Sequence, residues 1–221
     1  MRLEATKTIR PMNQPAQPIR LYDLAISGHC HRVEMFLSML GLPFEKVNVD
    51  LAKGEHKLPA FLAKNAFGQV PVIEDGEVTL ADSNAILVYL AETYAPGRWM
   101  PADALGRAKV QRWFSAAAGL LAFGPAMSRA INIFKRPDDP APAIARATRL
   151  LGVMEQELAG QPFLVGNEPT LADLSLYSYV DRAPEGNVSL EPYPNVRAWL
   201  QRVERLPGFV PMRRTPVGLA A

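Results

Sequence analysis

Cysteine is almost absent. Cys30 is the only one in 221 residues, which excludes an intramolecular disulfide and removes the usual mark of an oxidising compartment, so a cytoplasmic location is expected. An excess of one charge sign is also lacking: 24 basic residues face 22 acidic ones, and the formal charge of +2 is spread along the chain. Nucleic acid therefore has no basic stripe to read, although a small anionic ligand stays open. Histidine is scarce, with only His29, His31 and His56. His29, Cys30 and His31 invite a metal reading, but neighbours on a helix point in different directions, and zinc takes three or four protein ligands, so no metal is expected. Long apolar runs are missing from this reading too. Residues 1 to 18 carry Arg2, Lys7 and Arg10 without an apolar segment of signal length, and no later stretch reads as a bilayer span, so no membrane association is expected. Neither a GxSxG pattern nor a P-loop occurs.

What is present suits a soluble globular protein. Hydrophobic residues make up 48% of the chain, enough for one large core or two small ones. Residues 1 to 18, with the Pro- and Gln-rich segment Pro11 to Pro18, read as a poorly structured leader. Ile19 to Tyr22 is short and β-like. After a loop containing Ser27 and Gly28, the residues Val33, Phe36, Leu37 and Leu40 recur at helical spacing. Gly41-Leu42-Pro43 stops that helix, since Gly suits its C-terminal cap and Pro cannot continue it, and Phe44 to Val49 alternates as a second strand. A parallel βαβ unit follows.

A weaker helical stretch, Lys57 to Lys64, leads to Val70-Pro71-Val72-Ile73. The Asp75-Gly76 pair between two short β-like runs signals a hairpin, because both residues tolerate positive φ. Ser83 is expected to cap the next helix, whose apolar face carries Ile86, Tyr89 and Leu90. The sum is an α/β domain of order βαβαββα with a mixed four-stranded sheet, over residues 19–96.

Past Ala95-Pro96-Gly97 the β signals fade. Val110, Trp113, Phe114, Ala117 and Leu121, then Ala147, Leu151, Met154 and Leu158, then Val196, Trp199, Leu200 and Val203 all keep helical spacing, which predicts an all-α C-terminal domain over residues 104–221. Its connections are Pro-rich at Arg136 to Pro142 and at Pro184 to Pro194. In Pro169-Thr170-Leu171-Ala172-Asp173, Thr170 caps a helix and Asp173 reaches back to its backbone N–H, so Asp173 reads as a cap and not as a catalytic acid.

The βαβαββα order, the Val70-Pro71 pair before a strand, the Asp82-Ser83 pair before a helix and the helical second half resemble the glutathione transferase superfamily over nearly the whole chain from Ile19. The loop Leu24 to Val33 is similar to that of the serine-using, phi- or theta-like classes, and the chain looks bacterial in type. The resemblance implies a thioredoxin-like N-terminal domain that takes glutathione as co-substrate, and Ser27 as the catalytic hydroxyl beside its thiol. A thiol of pKa about 8.5 is mostly protonated at neutral pH, so a donor that favours the thiolate, aided by a helix N-terminus, raises the reactive fraction. On its own Ser27 reads as an ordinary capping serine.

The same resemblance makes Pro71 a cis-proline that exposes the backbone of Val70 to the cysteinyl part of glutathione. It assigns Asp82 and Ser83 to the γ-glutamyl end, the carboxylate facing the ammonium and the serine hydroxyl with helix N–H facing the carboxylate. Asp82 is one methylene shorter than the usual Glu or Gln, which suggests a bridging water. Gly54-Glu55-His56-Lys57 resembles the loop whose His56 and Lys57 meet the glycyl carboxylate, and Gln69 its amide partner.

Cys30, in the first turn of the same helix, is a secondary thiol candidate whose pKa the helix dipole would lower; its other reading is a buried small residue. The expected reaction joins the glutathione thiolate to a small apolar electrophile, in a homodimer, with Phe123, Met127 and Phe134 as candidates for the electrophile pocket. Two alternatives stay open: a glutathione-dependent disulfide or peroxide reductase using Cys30, and a non-catalytic relative that binds ligands or partners.

Overall fold

A computed structural model describes residues 14–221; residues 1–13 of the expected leader lie outside the described residues. Strand β1 (Ile19–Asp23) leads into helix α1 (Gly28–Met39) and strand β2 (Phe44–Asn48), which pairs parallel to β1 with Leu21 opposite Lys46. After the short helix α2 (Pro59–Leu62), strands β3 (Val72–Asp75) and β4 (Val78–Ala81) form an antiparallel hairpin, and helix α3 (Ser83–Tyr94) closes this half. The sheet order is β2-β1-β3-β4, with Leu21 of β1 opposite Ile73 of β3. Alternation along the strands sorts the two faces. Ile19, Leu21 and Ile73 join Val33, Phe36, Leu37, Ile86, Leu87 and Leu90 in the main core under α1 and α3, while Tyr22 and Val72 face Val49 and Phe61 in a smaller cluster under α2.

The second half is helical. Helix α4 (Ala104–Ala116) runs through a π turn at Ala117–Leu121 into helix α5 (Pro125–Ile133), followed by α6 (Ala141–Leu158), α7 (Leu171–Asp181) and α8 (Pro194–Glu204). Every residue from Leu171 to Val180 is buried, and α7 is a central post against which α1, α3, α4, α5 and α8 pack. Its start is the expected capping box. The Asp173 carboxylate accepts from the Thr170 backbone N–H at 2.8 Å, the Leu164 N–H at 2.9 Å and the Trp199 indole N–H at 2.8 Å, tying three segments to one buried charge. The main core is continuous from the sheet to α8, so the two halves share it.

Three expectations need correction. The 57–64 helix is only Pro59–Leu62, preceded by a single 3-10 turn at Glu55–Lys57, because Pro59 lacks an N–H and can only start a helix. Helix α3 is capped by Asp82 and not by Ser83: Asp82 sits at φ +70°, and its Oδ1 accepts from the N–H groups of Asn84 and Ala85 at 2.9 Å each. Finally, the stretch Ala104–Ile133 is long and apolar enough, by length and composition, to cross a bilayer. It packs Val110, Trp113, Phe114, Ala117 and Leu121 into the protein core.

Candidate active site

One cleft of ≈630 Å³ opens where the C-terminal edge of the sheet half meets the π turn of the helical half. Ser27, His56, Gln69, Val70, Pro71, Asp82 and Ser83 all line it, together with Ala117 and Ala118. Seven of the nine residues named from sequence are thus brought to one place. Cys30 and Lys57 are not among the lining residues.

Ser27 is the N-cap of α1, with extended backbone and its Oγ accepting from the Cys30 N–H at 3.3 Å. Its hydroxyl stands at the positive end of the helix dipole, where a developing anion is favoured. The loop that carries it is held from the other half of the molecule. Arg129 of α5 donates to the Ile26 carbonyl at 2.6 Å and pairs with buried Glu185 at 2.6 Å.

The Val70–Pro71 bond is cis, as expected. The loop before it is built on Asn65, whose amide donates to the Gln69 carbonyl at 2.8 Å while its carbonyl oxygen accepts from the Phe67 N–H at 3.0 Å. Gly68 lies at φ +60°, and a Cβ there would approach the His56 carbonyl oxygen to 2.9 Å, so this loop packs tightly on the His56 turn. His56 lines the cleft with a buried, unpartnered Nδ1, whereas Lys57 is exposed.

Ser83 is the first residue of α3, and its hydroxyl accepts from Arg32 at 3.2 Å. Arg32 also donates to the Asn84 side chain at 3.0 Å, and Asn84 in turn accepts from Ser175 of α7 at 2.7 Å. Arg32 is 1% exposed, lines the cleft, and has no hydrogen-bond partner for Nε or Nη2 among the described residues. Burial pushes its guanidinium down to about 10, which still leaves it charged at neutral pH.

Cys30 follows the second of its two readings, a buried small residue, and not that of a secondary thiol. It is fully buried, accepts a weak hydrogen bond from the Leu24 N–H at 3.5 Å, and burial pushes its thiol up to about 12. Desolvation outweighs the helix dipole, so the thiol is held protonated instead of activated. The adjacent histidines diverge. His29 lines the cleft and is pushed down to about 3 by burial and then by Arg32. His31 points into the core, where Nε2–H donates to the Val210 carbonyl at 2.9 Å and Nδ1 meets the Ser178 hydroxyl at 2.8 Å. Phe123 and Phe134 are 54% and 58% exposed, and the helical half reaches this cleft through Ala117 and Ala118.

Sequence reasoning missed Arg32, His29, Asn65 and Asn84. Arg32 carried a usable signal: it stands four residues before Phe36 and next to Val33, a lone charge on an apolar helix face. Asn65 and Asn84 act through backbone and side-chain contacts that no spacing announces.

Comparison with known proteins bears on the family and the fold. Residues 17–92 match the family description "Glutathione S-transferase, N-terminal domain" and residues 116–207 match "Glutathione S-transferase, C-terminal domain". The chain is 34% identical over 206 residues to glutathione S-transferase 3 of Zea mays, covering 87% of this chain and 91% of that one. It is 33% identical over 200 residues to glutathione S-transferase theta-2 of Homo sapiens, covering 86% and 82%. Among solved structures, the glutathione S-transferase from Pseudomonas fluorescens superposes with a TM-score of 0.85 at 34% identity, over 90% of this chain and all (100%) of that one. A glutathione transferase homologue from Drosophila mojavensis with bound glutathione gives 0.77 at 29% identity, over 86% and 89%. With similarity running through both halves, the chain belongs to the glutathione S-transferase family, a thioredoxin-like domain followed by an all-helical one.

Proposed function

We propose that the cleft binds glutathione and that Ser27 activates its thiol for transfer to an apolar electrophile. The observation that carries this reading is the meeting, in one cleft, of a hydroxyl at the α1 N-terminus with a buried guanidinium whose Nε and Nη2 have no hydrogen-bond partner among the described residues. An unpaired buried cation costs free energy that an anionic ligand offsets. The γ-glutamyl carboxylate of glutathione fits between Arg32, the Ser83 hydroxyl and the α3 N-terminus.

The remaining groups follow from that anchor. Asp82 Oδ1 is engaged as the helix cap, so Oδ2 is the atom left to face the γ-glutamyl ammonium, through a water. The Val70 backbone before Pro71 pairs with the cysteinyl unit. His56 and Gln69 hold the glycyl carboxylate, with Lys57 at the rim adding positive charge. The thiol then lies at Ser27, where a hydroxyl donor and the helix dipole both favour the thiolate. Ala117 and Ala118, small side chains on the π turn, leave room for the electrophile.

Turnover of glutathione with a dinitro-activated aryl chloride, followed by the absorbance of the thioether product, tests this reading. Ser27→Ala is expected to lower kcat/KM by about 10- to 100-fold while Cys30→Ala leaves conjugation intact. Equal rates for Ser27→Ala and wild type would remove Ser27 from the reaction.

A homodimer is part of the same proposal. Phe67, beside the cleft, is 85% exposed, and a groove of ≈710 Å³ between α3 and α4, lined by Val88, Met100 and Phe114, offers an apolar seat for the equivalent loop of a second copy. Light scattering should report twice the 24.3 kDa chain mass, shifting toward the single chain in Phe67→Ser; a wild-type protein that scatters as one chain contradicts it.

A further inference from the structure

We infer that Arg129, on α5 of the helical half, is a positioning residue for the serine: its guanidinium fixes the peptide unit that enters Ser27, and the C-terminal segment lying along α1 fixes the guanidinium. The inference rests on the reading that Ser27 meets the glutathione thiol.

Ser27 closes a turn that starts at Leu24, its N–H donating to the Leu24 carbonyl at 2.8 Å. The carbonyl of the same peptide unit belongs to Ile26, and Arg129 Nη1 donates to it at 2.6 Å. Both polar groups of that planar unit are engaged, so its orientation is set. On the other side of the residue, the Ser27 carbonyl accepts from the His31 N–H at 2.9 Å and Oγ from the Cys30 N–H at 3.3 Å. Those contacts stay within the turn and the start of α1. The Ile26 contact comes from the helical half, which also supplies Ala117 and Ala118 to the cleft, so it is the contact that sets the serine relative to the opposite wall.

The guanidinium is itself held on its other two nitrogens. Arg129 is 4% exposed; Nε donates to Glu185 Oε2 at 2.6 Å and Nη2 to Thr215 Oγ1 at 3.5 Å. Glu185 stands on the 3-10 turn Ala183–Gly186, and its Oε1 accepts from the Thr215 N–H at 3.0 Å. A planar fork with a separate partner on each nitrogen cannot rotate without breaking one of them.

Thr215 belongs to a segment that follows α1 backwards. At its start Gly208 takes φ +77°, and a Cβ there would lie 2.7 Å from Met39 Cα, against the last turn of α1. Val210 then accepts from His31 near the helix start at 2.9 Å, Arg182 donates to the Met212 carbonyl, and Thr215 reaches Arg129 and Glu185 beside the serine turn. The segment thus braces the helix and, through Arg129, the residue that caps it. Freeing the Ile26 carbonyl lets the peptide plane before Ser27 turn, which swings Oγ and lengthens its hydrogen bond to the thiolate.

The test is the pKa of the thiol in the protein–glutathione complex, read from thiolate ultraviolet absorbance against pH. The proteins compared are wild type, the double variant Arg129→Met, Glu185→Met, Ser27→Ala, the triple combination and Asn132→Ala. The double variant releases Ile26 without leaving either buried charge alone. Asn132→Ala is the control: it removes a bond of 2.8 Å from α5 to the Glu185 backbone carbonyl and leaves Ile26 held.

The double variant should raise the thiol pKa by about half to one unit, lowering kcat/KM about three- to tenfold below that pKa. KM for glutathione should stay within about twofold, because the groups that hold the tripeptide are untouched. Asn132→Ala should keep the wild-type thiol pKa. In the Ser27→Ala background the shift should vanish, since Arg129 acts through the serine.

An unchanged thiol pKa in the double variant overturns the inference. A shift of the same size with and without Ser27 also overturns it, by making Arg129 a distant charge, and so does an equal shift in Asn132→Ala, by making the effect a general loosening of α5. If the double variant does not fold, Arg129→Lys keeps a cation for Glu185 but loses the planar fork, and a thiol pKa equal to wild type is then the contrary result. Wild type that shows no thiolate band with glutathione would remove the glutathione reading and this inference with it. A band indifferent to Arg129 removes the inference alone.

Discussion

Arg129 and Glu185 form a buried ion pair at 2.6 Å, and the same guanidinium holds the Ile26 carbonyl, one residue before Ser27, at 2.6 Å. Glu185 also accepts from the Thr215 N–H at 3.0 Å. The loop that presents the serine is therefore fastened to the helical half, and the C-terminal segment to the same carboxylate. Glu185→Ala leaves a buried guanidinium without its counter-charge and should cost about 3–5 kcal/mol in urea unfolding. The double change Arg129→Met, Glu185→Met removes both charges and should cost less than Glu185→Ala alone. A single-variant loss below about 1 kcal/mol would show that the pair behaves like a surface one.

Arg32 sets stability against binding. Its Nε and Nη2 lack partners among the described residues, so Arg32→Met, which replaces a buried charge by an apolar chain of similar length, should leave unfolding free energy within about 1 kcal/mol of wild type or raise it. The same change should weaken glutathione about tenfold or more by removing a charged contact. Affinity that survives Arg32→Met would mean that the guanidinium does not meet the ligand.

His31 gives the fold a pH dependence. Burial outweighs its Val210 hydrogen bond and pushes it down from 6.5 to about 4. The unfolded chain binds the proton near 6.5 and the folded one only near 4, so between these values the unfolded state holds more protons. Stability is therefore complete above pH 6.5 and falls as pH drops toward 4, by about 1.4 kcal/mol per unit for one proton. His29, pushed down to about 3, adds a second proton to the slope. His31→Gln should flatten the stability-versus-pH line by one proton over this window; an unchanged slope would mean that His31 titrates in the folded protein as it does in the unfolded chain.

Asp173 collects the Thr170, Leu164 and Trp199 donors at the start of α7. Asp173→Ala leaves these three buried N–H donors unsatisfied at about 1–3 kcal/mol each, and removes the acceptor of the Thr170 hydroxyl as well, so a loss of at least about 3 kcal/mol is expected in denaturant unfolding. A loss below about 1 kcal/mol, the size of an ordinary cap, would show that the Leu164 and Trp199 contacts contribute nothing.

The capping box at Thr170 and Asp173 was legible because a cap is a local object, written within four residues of chain. The hairpin at Asp75-Gly76 and the parallel βαβ unit were legible for the same reason: turn chemistry and hydrophobic period are short-range. Ser83 as a cap was misread because Asp82 takes a positive φ of +70°, a backbone choice that moves the capping carboxylate one residue back and leaves the serine free to face Arg32. For Cys30 the buried reading holds and the dipole-lowered thiol does not, since a helix N-terminus is visible in sequence but the burial that overrides it depends on the whole fold. Arg32, Asn84 and Ser175 form a chain that spans 143 positions, from the first helix to the seventh. No spacing rule reaches that far. The bilayer-length stretch 104–133 shows the converse, an apolar run whose destination is the shared core.

The most direct measurement is isothermal titration of the purified protein with reduced glutathione, on wild type and on Ser83→Ala. Ser83 contributes one hydroxyl between Arg32 and the α3 N-terminus, so wild type should bind in the micromolar-to-millimolar range and Ser83→Ala about tenfold more weakly. No heat of binding with wild type, or equal affinity in the two proteins, would contradict the placement of glutathione in this cleft.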